Sequence, residues 1–264
     1  MGLYFAVLIF GDKFGLPSAG TRFFGVKKPS EVLTSGSQWC GIFLCMILMD
    51  SFYVCFKCSE GARARYCNVA LMCSLQRFIL QVAHASPSVR TISLGTSAEY
   101  YPGIISSMVF IALYSSVSST ARLPAGNVWY KPATTTAKTI FCVTILLHGF
   151  LAQMIATDFF STATKVKGKR TAQEYAQLDW VIVMFCGVIL NLFFCLQFLT
   201  ENEQIGFAKA RVIGCFCILY QTYAEKAITP CATYKQSQTI TSVITVLMIF
   251  AAHNRDIKKK LKMA

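Results

Sequence analysis

Apolar residues gather into seven long stretches, at about 39–58, 67–83, 102–119, 138–157, 179–199, 207–224 and 238–252, with polar, basic and helix-breaking residues collected between them. Several of these stretches approach the ~20 residues that a helix rising about 1.5 Å per residue needs to cross a hydrocarbon core of ~30 Å. A backbone in lipid has to satisfy its own hydrogen bonds, which restricts spanning segments to helices and closed barrels. The stretches are too long for barrel strands and lack strict alternation, so the pattern predicts an all-α polytopic transmembrane helix bundle.

A second pattern overlies the first. Residues 39–60, WCGIFLCMILMDSFYVCFKCSE, and 180–201, WVIVMFCGVILNLFFCLQFLTE, echo each other at a constant offset of 141, with Trp39, Cys45, Phe52 and Glu60 falling on Trp180, Cys186, Phe193 and Glu201. Asp50 falls on Asn191. If five residues are inserted in the second copy, Ala62-Arg63-Ala64-Arg65 then meets Ala208-Lys209-Ala210-Arg211. The echo reads as one membrane unit written twice. Carried back by the same offset, the stretch at 138–157 lands on residues 1–16, so MGLYFAVLIFG is expected to be a shortened first helix, giving seven or eight spans. A signal peptide is disfavoured because no basic segment precedes the apolar run.

A four-helix unit returns the chain to its starting side and can be repeated without inversion, as in the parallel repeats of some transporters. The expected organisation is a first unit at 1–119, a linker at 120–137 broken by Pro124, Gly126 and Pro132, a second unit at 138–254 and a basic tail at 255–264.

Composition strengthens the membrane reading: 55% of residues are hydrophobic and 14% charged, too apolar for an ordinary water-soluble domain. The net charge of +13 lies largely on helix flanks, where Lys and Arg meet lipid headgroups. No aromatic-and-basic module accompanies it, so the expected partners are membrane lipids and other membrane subunits rather than nucleic acid. The basic tail and a linker without acidic residues favour termini on the cytosolic or stromal-like side. Lys260 and Lys262 stand fifth and third from the end, which resembles the dilysine retrieval signal of endoplasmic reticulum and Golgi membrane proteins. A basic end that anchors the last helix to anionic headgroups is the commoner origin of such a tail.

Most of the twelve cysteines lie inside apolar stretches and behave there as small hydrophobes. Cys55 and Cys58 form a lone CxxC with Cys67 nearby, short of the ligand set a zinc ion needs, so no metal is expected. Nucleotide-binding glycine loops, HExxH, GxSxG and histidine-rich boxes are all missing, which leaves no catalytic residue or cofactor to nominate and points away from an enzyme.

Charged side chains inside lipid are costly, at about 2.5 to 3.5 kcal/mol each on insertion scales, and therefore pair or face a cavity. Asp50 stands 11 residues after Trp39, and Arg77 stands 11 after Tyr66 on the next, oppositely directed helix. At ~1.5 Å per residue each lies roughly 16 Å from its own face, so the two are expected to meet near mid-membrane, with His148 and Asn191 at similar depth. On this reading Asn191, the neutral copy of Asp50, stands opposite Tyr223. Asp50, Arg77, His148 and Asn191 form the candidate polar cluster, either lining a cavity between the repeats or simply fixing helix register as a buried ion pair. The first carries a transporter or channel-like carrier of a small solute or proton. The second carries a non-catalytic structural or assembly subunit, and a lipid-modifying enzyme is a third expectation. Gln76, Gln81, Gln153, Gln197 and Gln221 are expected to join helices.

Overall fold

The computed structural model describes residues 30–85, 101–120, 135–156, 171–224 and 232–263, and all regular structure among them is α-helical. Seven described helices follow in order: α1 (Glu31–Lys57), α2 (Glu60–Ala85), α3 (Tyr101–Thr120), α4 (Thr135–Ala156), α5 (Ala172–Phe198), α6 (Glu201–Ala224) and α7 (Ala232–Met263). The shortened helix expected at 1–16 lies outside the described residues. Helix α4 takes up residues 135–137 of the expected linker, and α7 continues through the basic tail to Met263.

Two helices contain stretches long and apolar enough to cross a membrane, Leu33–Lys57 with 25 residues and Asp179–Phe198 with 20. Shorter apolar stretches run over Ile104–Val117 and Thr139–Leu151. The expectation of seven or eight spans is therefore met by two of the described helices on this criterion. Among the others, Arg77 interrupts α2, Lys209 and Arg211 interrupt α6, and the apolar part of α7 stops before Asn254-Arg255.

Helix starts follow from capping chemistry. Thr171 opens α5 with a capping box, its hydroxyl accepting from the Glu174 amide while Glu174 accepts from the Thr171 amide. Thr200 and Glu203 repeat the arrangement at α6. Ser30 caps α1 by accepting from the Leu33 amide at 3.3 Å. Only two residues join α1 to α2 and α5 to α6.

Those short joints do not produce tight helix pairs. Helices α1 and α2 touch little, as do α5 and α6; instead α1 packs along α5 and α6, and α2 packs along α5 and α3. Side by side the order is α3, α2, α5, α1, α6, α7, with α4 lying on α5 and α7. Contacts exchange across the centre of this row. Tyr53 meets Phe207 edge-on at 6.3 Å, and Tyr66 meets Phe194 edge-on at 5.0 Å, so residues 141 apart in sequence make corresponding contacts. The correspondence reaches Phe207 without the five-residue insertion that the sequence comparison introduced.

One apolar cluster, around Ile42, Phe43, Met46, Phe185 and Val188, fills the α1–α5 seam toward its start. Another, around Val54, Leu192, Phe194, Leu199 and Phe207, fills it toward its end and extends to α4 and α7. Outward faces carry large apolar side chains, including Ile79, Ile105, Leu113, Leu146, Phe216 and Val246.

Candidate functional site

Between the two clusters lies the most enclosed polar group of the described residues. Asp50 is 0% exposed, Asn191 1% and Arg211 2%. Arg211 donates through Nε to Asp50 Oδ1 at 3.1 Å and through Nη2 to Oδ2, and Asn191 Nδ2 donates to Oδ2 at 2.9 Å. The same Nη2 also donates to the Val188 carbonyl at 3.3 Å. A forked guanidinium on both carboxylate oxygens fixes distance and angle together. Phe207, one turn earlier on α6, lies under the guanidinium at 5.3 Å from the ring centroid.

Helix geometry explains why these residues meet. Asp50 lies seven residues before the end of α1, roughly 10 Å from it, and Arg211 lies ten residues into α6, roughly 15 Å from the same end of the bundle. Helical side chains lean toward the helix start, which directs Arg211 back to the level of Asp50. Helix α2 begins at Glu60 rather than near Tyr66, so Arg77 stands about 26 Å from that end and far from Asp50 along the helix axes. The expected Asp50–Arg77 pairing is replaced by Asp50–Arg211. Arg77 sits instead one turn after Cys73, within electrostatic reach of Tyr114 on α3.

Of the four residues expected to cluster, Asp50 and Asn191 are in direct contact. His148 is buried on α4, donates through Nδ1 to the Thr144 carbonyl at 2.7 Å and stacks on Phe185 at 5.5 Å. It lies within electrostatic reach of Arg211 without bonding to it. Tyr223, expected opposite Asn191, is exposed and its hydroxyl lies 3.3 Å from that of Ser242. Two of the amides join helices: Ser107 on α3 donates to Gln81 at 2.8 Å, and Gln221 on α6 donates to Gln38 on α1 at 2.7 Å. The side chains of Lys260 and Lys262 fall outside the described residues.

The residue that sequence reasoning missed is Arg211. Aligning it with Arg65 through an inserted gap placed it at the membrane face. At a constant offset its counterpart is Ala70, and its burial then follows from its place in mid-helix.

Two carboxylates extend the polar seam to its ends. Glu174 caps its own helix and also accepts from the Ser30 hydroxyl of α1 at 2.6 Å. Glu203 caps α6 and also accepts from the Ser59 amide, at the start of α2, at 2.7 Å. Burial raises the affinity of Glu203 for its proton, but the amides of Ser59 and Thr200 outweigh it and hold the carboxyl below its ordinary pKa. Beside it, Gln204 donates to the carbonyls of Cys195 and Leu199 at the end of α5.

Chemically, this is a closed ion pair with capped helix ends. Both Asp50 oxygens are engaged, and among the described residues no group of three or more His, Cys, Asp or Glu is arranged to hold a metal ion. Comparison with family models, with curated proteins and with solved structures returns no match.

Proposed function

We propose that the chain is a multi-pass integral membrane protein made from two copies of a four-helix unit, and that it serves as a non-catalytic structural or assembly subunit of a membrane complex. The observation that carries this reading is the enclosure of Asp50: its oxygens are taken by Arg211 and Asn191, and apolar clusters lie on either side along the seam. A buried pair of this kind selects one register between helices that lipid would let slide. The exposed apolar faces are then surfaces for lipid and for partner subunits.

Transport of a proton or small solute is the second reading. Arg211 Nη1 is buried without a hydrogen-bond partner, leaving bonding capacity beside the ion pair, and parallel-repeat carriers use the interface between repeats. Purified protein in vesicles carrying a pH-sensitive dye separates the two. The structural reading expects no proton flux above empty vesicles, and lowered stability for Asp50→Asn. Flux that Asp50→Asn abolishes while the protein stays folded would establish the carrier instead.

A further inference from the structure

We infer that the seam is a matched interface: the α1–α2 face of the first half accepts the α5–α6 face of the second half and rejects a like half. This deepens the two-unit reading above, but it rests on contacts at the seam and stands apart from whether anything is transported.

Where two similar helices face each other across a pseudo-two-fold axis, equivalent residues meet. Two charges of one sign would then be forced together. Along this seam each level carries a charged group on one half only. Glu174 corresponds to Leu33, Asp50 to Asn191, Glu203 to Ala62 and Arg211 to Ala70. At each end a single carboxylate serves both halves: Glu174 holds Ser30 and Thr171, and Glu203 holds Ser59 and Thr200. Shape follows the same rule. Gln177 lies where a Cβ on its counterpart Gly36 would stand, so one half supplies the side chain and the other the space.

Pairing like with like breaks every level. Two first halves would bring Asp50 against a second Asp50, with Ala70 in place of the guanidinium. Two second halves would bury two Arg211 side chains facing Asn191, and would set Glu174 against Glu174 and Glu203 against Glu203. An unpaired charge at a site as closed as this one disfavours the wrong pair by about a hundredfold or more. Repulsion against the wrong partner is what makes such an interface selective.

The test keeps the whole chain. A protease site flanked by glycine and serine is placed in the 121–134 segment of two full-length proteins with different tags, the folded proteins are cut in detergent, mixed and allowed to exchange, and the tagged halves are recovered. Unlike halves should be recovered together, with like pairs at a hundredth or less of that amount. Repeating it with Asp50→Leu/Arg211→Met, which removes both charges, should raise like pairs at least tenfold while unlike pairs persist. Like pairs as abundant as unlike ones in the unsubstituted protein, or unchanged selectivity in the neutral variant, would overturn the inference. Halves that separate on cutting would overturn it too. None of these outcomes bears on proton flux, which is read in the vesicle experiment.

Discussion

The α1–α5 seam and the α2–α3 pair are both helix–helix contacts in one bundle, but they are made differently. The seam has a polar anchor at its start, near its later third and at its end, through Glu174, the Asp50–Arg211–Asn191 group and Glu203. Among the hydrogen bonds described, the α2–α3 pair has Ser107 to Gln81, while α3 turns Ile105, Met108, Val109, Leu113 and Val117 outward. Helices α2 and α3 are consecutive, so the chain itself keeps them near each other. Helices α1 and α5 start 141 residues apart, and apolar side chains alone would let them pair in several registers. Polar contacts select one register where connectivity does not.

The largest effect should come from breaking the centre of the seam. Asp50→Ala leaves Arg211 buried without its carboxylate and should cost about 3–5 kcal/mol in detergent unfolding. Asp50→Leu/Arg211→Met should recover most of that loss, because the uncompensated charge goes with it. Equal losses in the single and the double variant would show that packing, and not charge, holds the centre.

Next comes packing beside it. A Cβ on Gly206 would lie inside the van der Waals envelope of the Tyr53 ring, so Gly206→Ala should destabilise by about 1–3 kcal/mol in the same assay. Loss of that effect in a Tyr53→Leu background would tie the cost to this contact.

Glu203→Gln should cost about 1 kcal/mol near neutral pH, the size of a helix cap. The folded pKa of Glu203 is depressed, so its contribution is present above the unfolded value of about 4.3 and is lost as pH falls through the folded value. Unfolding midpoints of the two proteins should therefore converge in that acid range. A difference that persists there would assign the effect to something other than the carboxylate. Smallest of all, Ser107→Ala should cost about 0.6 kcal/mol, since a single interhelical hydrogen bond is worth little. A loss as large as that at Asp50 would erase the contrast between the two regions.

Much of this arrangement was legible in the chain. The echo of 39–60 in 180–201 marks α1 and α5, and it names Asp50 and Asn191 as counterparts; they are bonded to each other. The sequence also carries Thr171-Ala-Gln-Glu174 and Thr200-Glu-Asn-Glu203, the spacing of a capping box. Arg211 was hidden because a few shared Ala, Arg and Lys residues drew the alignment into a gap. Arg77 was favoured because depth was counted from the edge of the apolar stretch, and α2 starts six residues earlier.

By itself the sequence determined what depends on local pattern: helical structure and the capped helix starts. Hydrophobic runs and capping residues act within a turn or two, so they can be read in order along the chain. Tertiary structure alone decided which cation reaches Asp50 and that α1 packs on α5 and α6 rather than on α2. Those outcomes depend on where helices begin, how they splay after two-residue joints and which way a long side chain leans. Each is set by packing between segments far apart in the chain.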